Sequence, residues 1–559
     1  MQRAALIISL VIVNLLFQQK TVSAQSLIIQ VTGHIKERVL NSKESSKVVC
    51  MAELICSSAT LPHFYATRSF SPAWIKDSGP LPQAAALLAA IGQASLEGLA
   101  AKDYHLATIS SLLQQISSKM AAHRYVDPEQ AADLDLLLTD TFLIYASHLL
   151  SGRVNPETLQ SDWFIKGRKG NVARVLEIAL RQDTIEESLR DLLPPHADYQ
   201  RLKNALAHYR SIVEEGGWPL VPHGPPLRRG DRGLRVEALR AYLIVSGDLA
   251  VSPGYVDFEH FDEGMEKGVR RYQYRHGLIA DGVVGPATQA AVDVPAMERV
   301  RQIEVNMEQW RWLPADFGDR YVWVNIADFT LAVIDNKVIE MQMRAVVGEN
   351  FQRTPVFTSL ITYLELNPYW NIPTNIAVEE MLPEIRRNTR YFARKKIRVF
   401  PRWEPGAPKL DPKAINWSRI SQIGFPFKLR QDPGPQNPLG RIKFMFPNKF
   451  SVYIHGTPYH HLFEKETRDF SHGCIRIEKP LKLAAYLLQG DPRWSRETLD
   501  TTIKVGKNRI IRFSDPIPVH ILYFTSWVDE DGTVHFRNDI YGRDSELAQA
   551  LGEPAPLPN

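Results

Sequence analysis

The chain has 559 residues, 44% of them hydrophobic and 23% charged, with a formal net charge of +4 at pH 7. At roughly 150 residues per domain this length fits three or four domains, each able to bury a core. So mild a charge argues against a nucleic-acid partner, which needs a strongly basic face.

Residues 1–24, MQRAALIISLVIVNLLFQQKTVSA, carry Arg3, an apolar run from Leu6 to Phe17, and small residues at Val22-Ser23-Ala24. This is a secretory signal pattern. The apolar stretch is short of the roughly 20 residues a spanning helix needs, so cleavage before Gln25 is favoured over an uncleaved inner-membrane anchor. Loss of Arg3 and Lys20 with the leader brings the charge to about +2. Only three cysteines occur. In an oxidising compartment Cys50 and Cys56 are spaced to pair, which leaves Cys474 as an odd thiol, reactive or intermolecular.

From 25 to 225 the reading is a helical scaffold. PQAAALLAAIGQASLEGLA and AADLDLLLTDTFLIYASHLLSG space leucine and alanine by three and four, and Gly152 supplies a stop. Tyr65, Phe70 and Trp74 are assigned to the core, and no catalytic constellation is present. GGWPLVPHGPPLRRG (216–230) breaks the periodicity and marks a linker. Residues 226–295 read as a small three-helix module, with Val236, Leu239 and Leu243 on one face, Met265, Val269 and Tyr272 on another, and a turn at Asp281-Gly282.

Residues 299–551 form the last domain. From 320 the hydrophobic period becomes two, with a hairpin turn at Asp335-Asn336 and further strands near 355–366, 441–446 and 450–456. The interval 368–430 is rich in Pro, Trp and Arg. An insertion of that length in a β domain reads as a lid or binding element, and Trp370, Tyr391, Phe392, Trp403 and Trp417 favour an ordered lid. Its basic run EIRRNTRYFARKKIR reads first as a solvated helix face. Contact with an anionic wall polymer is the alternative.

Two short segments carry chemistry: SVYIHGTP (451–458) and SHGCIR (471–476). A thiol with an ordinary pKa near ~8.5 is only a few per cent ionised at neutral pH, so a nucleophilic Cys474 needs an imidazole to take its proton. His455 and His472 are both candidates. His472 is two residues away, whereas His455 comes from a separate strand that a hairpin-like return would set opposite the thiol. Gly473 suits an oxyanion donor, and Arg476 can grip a carboxylate through two parallel hydrogen bonds. A zinc site from His455, His460, His461, His472 and Cys474 competes weakly, lacking HExxH or helical ligand spacing. Ser471 lacks the G-x-S-x-G elbow of a serine nucleophile. No cofactor or metal is expected.

HGTP followed by SHGCIR resembles the catalytic signature of the L,D-transpeptidases, the YkuD-type cysteine enzymes of bacterial walls. VVGENFQRTPVF, RQDPGPQNPLGRIKFMFPN and the closing HILYFTSWVDEDGTVHFRNDIYGRD agree with that family, and the domain order resembles its YcbB-like long Gram-negative branch. GLIADGVVGPATQAAV likewise resembles the peptidoglycan-binding module with its DGxxGxxT signature. The resemblance implies a multidomain α+β protein with a mostly-β catalytic domain, acting in the periplasm on peptidoglycan stem peptides. It implies Cys474 as nucleophile and His455 as proton donor and acceptor. Gly456 would orient His455 through its carbonyl, Gly473 and Cys474 amides would form the oxyanion hole, and His472 would play a supporting part. Arg476, Tyr453, Trp370 and Ser471 are carried over to the substrate cleft. The implied reaction is a 3→3 diaminopimelate cross-link through a cysteine thioester, with D-alanine released from a tetrapeptide stem. Hydrolysis of the same acyl-enzyme (a carboxypeptidase or endopeptidase), transfer to another acceptor such as a lipoprotein, and a wall-binding structural protein remain as alternatives.

Overall fold

The computed structural model describes residues 26–552 except 42–47, 52, 58, 252–253, 255–256, 405 and 422. The leader read at 1–24 lies outside the described residues. Among the described residues no helix is long and apolar enough to cross a membrane. Chain contacts divide the molecule into two units: 1–154 with 167–195 and 550–559, and 155–166 with 196–549.

The first unit is helical and centres on Pro128–Ser151. This helix is buried almost all round, as expected of a helix at the middle of a bundle rather than on its surface. The Asp127 side chain caps it by accepting from Glu129 N, Pro128 opens it, and Gly152 ends it. Its two fully buried carboxylates are satisfied locally. Asp135 accepts from Tyr65 Oη (2.7 Å) and the amides of Ala73 and Trp74, and Asp140 accepts from the amides of Cys56 and Ser57. Tyr65 and Trp74 are core residues, as their setting suggested.

Cys50 and Cys56 are free thiols here, which corrects the expected disulfide. Strands Val48–Cys50 and Glu53–Ile55 pair so that Cys50 faces Glu53 across the hairpin. Cys56 falls beyond that register, its amide held by Asp140 and its sulfur on Leu54 O.

In the second unit, helices Leu234–Val245, Glu263–Arg275 and Pro286–Val292 enclose a core of Val236, Leu239, Tyr242, Leu243, Met265, Val269 and Tyr272. The DGxxGxxT residues lock the turn between the last two helices. Gln273 donates to Asp281 Oδ1 and Thr288 Oγ1 and accepts from Gly282 N. The module joins the remainder of this unit through Arg537 Nη1 on Arg275 O and Ile279 N on Glu466 Oε1, both 2.9 Å, and through His276 stacked on Phe536.

The remainder is built on one nine-stranded sheet. Its strands are β1 (Arg320–Asn325), β2 (Thr330–Asp335), β3 (Val338–Gly348), β4 (Phe357–Leu366), β8 (Ile442–Met445), β9 (Ile454–His455), β10 (Asp469–Ser471), β11 (Ile475–Ile477) and β12 (Arg509–Leu522). They run β10-β3-β11-β9-β8-β4-β12-β1-β2, and β2 also pairs with β3, so the sheet closes on itself. The long β3 makes this closure, pairing with β2 over its first residues and with β11 and β10 over its last. Closure leaves few free edges to manage. Asn336 and Lys337 turn β2 into β3 with φ of 49° and 68°, the geometry of a tight hairpin.

Between β4 and β8 the insertion folds as a small body of its own. Strands β5 (Trp370–Ile372), β6 (Ile397–Phe400) and β7 (Lys428–Gln431) form a separate sheet in the order β6-β7-β5. Trp370, Ile376, Leu382, Ile385, Phe392, Val399, Trp417 and Leu429 supply its core, and Tyr453 packs against that core.

Candidate active site

Strands β9 and β11 run parallel, with Ile454 beside Ile475 and His455 beside Arg476; Ile475 N bonds Tyr453 O. Because side chains alternate along a strand, Tyr453 and His455 share one sheet face with Cys474 and Arg476. Tyr453 lies next to Cys474, and His455 lies next to Arg476. The thiol and imidazole are thus diagonal neighbours, roughly 8 Å apart at their Cα atoms from strand spacing and rise.

His455 is 4% exposed, and its Nδ1 lies 2.5 Å from Gly456 O. A carbonyl only accepts, so Nδ1 carries the hydrogen and Nε2 is left as the basic nitrogen. Burial, reinforced by the cations of Arg476 and Lys443, holds His455 down at about 3, against the pull of the Gly456 and Leu439 backbone. Its imidazole is therefore neutral at neutral pH. Burial pushes the Cys474 thiol up, while Tyr453, Lys443 and Arg476 act to lower it. The sulfur points to Ser451 O at 3.7 Å, and Tyr453 stands beside it in register. At rest the pair is neutral imidazole and thiol, and ionisation awaits a partner for the charge.

The turn that carries the thiol is over-determined. Gly473 has φ +97°, a conformation that side-chain-bearing residues rarely adopt. Thr354 Oγ1, fully buried, donates to Gly473 O and accepts from Gly348 N, both at 2.9 Å. Gly348 must lack a side chain too, since a Cβ there would stand 3.0 Å from Gly473 Cα and 2.1 Å from Gln352 O. Ser471 Oγ donates to Cys474 O and accepts from Gly473 N at 3.2 Å.

These contacts redistribute the residues that the sequence marked for the site. Ser471 is 2% exposed, and its hydroxyl is consumed inside the turn rather than offered to a substrate. The Gly473 amide is already engaged by Ser471, whereas the Cys474 amide has no acceptor among the described residues. Trp370, expected in the cleft, is 8% exposed and packs in the insertion's core. An indole in mid-core has no face left for a ligand. His472 is exposed and pairs with Glu380 of the insertion, Nε2 to Oε1 2.8 Å. Arg476 is half-buried, its guanidinium makes no hydrogen bond or ion pair among the described residues, and burial lowers its pKa. Among the described residues no three His, Cys, Asp or Glu side chains converge as metal ligands.

Sequence reasoning passed over Lys443 and Thr354. The first sits in IKFM, which reads as ordinary strand alternation, and the second beside a proline in a loop. The only signal for either was that each lies inside a segment resembling the family, VVGENFQRTPVF for Thr354 and RQDPGPQNPLGRIKFMFPN for Lys443.

A half-buried thiol on a glycine turn, with a tautomer-fixed imidazole on the adjoining strand, defines a cysteine–histidine site on a closed β-sheet. Residues 319–496 match the L,D-transpeptidase catalytic domain family, YkuD; residues 232–292 match the family described as "Putative peptidoglycan binding domain"; residues 59–206 match a scaffold domain. The chain therefore carries a YkuD-type L,D-transpeptidase catalytic domain together with a peptidoglycan-binding domain, in a multidomain framework of helical regions and a mostly-β catalytic part.

A Haemophilus influenzae protein named "Putative L,D-transpeptidase" is 30% identical over 247 residues, 44% of this chain and 49% of that protein. The Mycobacterium tuberculosis N-acetylmuramoyl-L-alanine amidase CwlM is 37% identical over 81 residues, 13% of this chain and 20% of that one. The chain thus spans about half the length of the first relative and a fifth of the second. A crystal structure of the L,D-transpeptidase from Xylanimonas cellulosilytica is 15% identical, covering 54% of this chain and 98% of that one, with a TM-score of 0.17. A score that low adds no weight.

Proposed function

We propose that the protein is a periplasmic peptidoglycan L,D-transpeptidase that forms 3→3 diaminopimelate cross-links through a thioester on Cys474. The observation that carries the reading is the shared sheet face of Tyr453, His455, Cys474 and Arg476, with the imidazole's Nδ1 tied to Gly456 O. Cys474 Sγ gives its proton to His455 Nε2 and attacks the carbonyl between diaminopimelate and the terminal D-alanine of a donor stem. The oxyanion is held by the free Cys474 amide. The C–N bond breaks, D-alanine leaves with the proton from His455, and the thioester remains. The side-chain amine of a second diaminopimelate then attacks; its proton passes to His455, the C–S bond breaks, and a new amide is released. Arg476, an unpaired guanidinium beside this chemistry, suits a stem carboxylate. An amine is a better nucleophile toward a thioester than water, which favours transfer over hydrolysis.

The test is incubation of the purified protein with a disaccharide tetrapeptide, read by intact mass and by analysis of the muropeptides. The expected result is an acyl adduct on Cys474, release of D-alanine and 3→3 dimers, all absent in Cys474→Ala. Tripeptide without dimers would move the reading to hydrolysis. Dimers that persist in Cys474→Ala would overturn it.

A further inference from the structure

Lys443 occupies an unusual place. On β8 it stands directly opposite His455 of β9 on one side and Glu365 of β4 on the other. Alternation puts its side chain on the sheet face that carries Cys474. Its Nζ lies 3.8 Å from the centroid of the Tyr453 ring, and Tyr453 is the residue that stands beside Cys474 across the β9–β11 register. The ammonium is half-buried and makes no hydrogen bond or ion pair with any described residue. Glu365, the nearest carboxylate in register, is occupied by Asn508 Nδ2 at 2.6 Å. A partly desolvated cation costs free energy unless an anion compensates it, and an aromatic face offsets only part of that cost. The anion this face can produce is the Cys474 thiolate.

We propose that Lys443 is an electrostatic positioning residue for Cys474: its ammonium, seated on the Tyr453 ring, is the counter-charge that lets the thiol ionise inside a buried site. The same cation stands opposite His455 and disfavours an imidazolium there, so Lys443 biases the pair toward thiolate with the proton handed onward. The other charged and titratable groups around the thiol are Tyr453 just before β9, His455 on β9 and Arg476 on β11. Glu365 on β4 faces Lys443, and Glu380 of the insertion faces Arg476. Arg476 shares the sign of Lys443 and is half-buried like it; under the proposed function a stem carboxylate would neutralise Arg476 and leave Lys443 as the remaining cation.

This inference deepens the transpeptidase reading, yet its test needs no substrate. The rate of Cys474 alkylation by iodoacetamide is followed from pH 6 to 11 on the full chain, by peptide mass. Peptide mass separates Cys474 from Cys50 and Cys56, whose thiols burial also raises. Lys443→Met is expected to raise the midpoint by about one pH unit, giving roughly tenfold slower alkylation below both midpoints. Lys443→Arg should restore the wild-type midpoint. Glu365→Gln, which removes the opposing charge, should lower it and decides the matter if Lys443→Met does not fold. An unchanged midpoint in the folded Lys443→Met protein, or in Glu365→Gln when it alone folds, overturns the proposal. If cross-linking fails in the wild type while the midpoint still shifts, the transpeptidase reading falls and the role of Lys443 stands.

Discussion

Replacing Thr354 by valine removes one oxygen from a fully buried site and keeps the side chain's shape. That oxygen holds two backbone groups, donating to Gly473 O and accepting from Gly348 N, each at 2.9 Å. Neither group has water to turn to, and an orphaned buried polar group costs about 1–3 kcal/mol. With two groups orphaned, Thr354→Val should destabilise the catalytic unit by about 2–6 kcal/mol, on the order of 10 °C in Tm for a domain of this size. The larger effect falls on the chemistry. Once the Gly473 carbonyl is released, the Gly473–Cys474 peptide can rotate, and with it the Cys474 amide that the proposed mechanism assigns to the oxyanion. Loss of one oxyanion donor typically costs about 10²–10³ in kcat. The thiol's own neighbours are untouched, so alkylation of Cys474 should stay within about threefold of wild type. Thr354→Ser keeps the hydroxyl and should recover most of both losses. The assay pairs a thermal melt with single-turnover acylation by a tetrapeptide donor. Wild-type acylation in a folded Thr354→Val protein would refute the idea that this hydroxyl orients the turn.

His520 is buried between Thr358 Oγ1 (3.0 Å) and Phe317 O (3.1 Å), and burial lowers its pKa to about 4. The unfolded chain binds its proton near ~6.5, so this histidine's stabilisation is full above that pH and is lost as pH falls toward 4. Between pH 7 and 5 the loss from this group is about 2 kcal/mol, and denaturant titrations of His520→Gln should show the pH-dependent drop smaller by that amount. Asp544 works in the opposite sense, since burial and Asp539 raise it to about 8, so comparison with the wild type is what isolates His520. An identical drop in both proteins would defeat the assignment. The His472–Glu380 pair has side chains 32% and 53% exposed, and such pairs contribute little to stability. Glu380→Gln should leave Tm within about 2 °C and cross-linking within about fivefold. A hundredfold loss would mean that Glu380 takes part in the chemistry.

HGTP and SHGC were legible without any structure because the chemistry proposed for them restricts residue type at those points whatever surrounds them. Local sequence also located the three-helix module, the period-two strands and the turn after Asp335, since each depends on neighbours a few residues apart. It could not say which strands become neighbours. His455 and Arg476 meet because β9 and β11 run parallel, with a short helical turn at His460–Glu464 and strand β10 between them in the chain, and that pairing is a property of the sheet. Lys443 likewise looked like an ordinary strand residue until the antiparallel β8–β9 pairing set it beside His455. Ser471 and Trp370 show the converse. Both are polar or aromatic residues near a motif, and only packing disclosed that one braces the turn and the other fills a core. The sequence alone determined which groups are chemically able to act. Tertiary structure decided which are free to act, because burial and hydrogen-bond occupancy depend on contacts far apart along the chain.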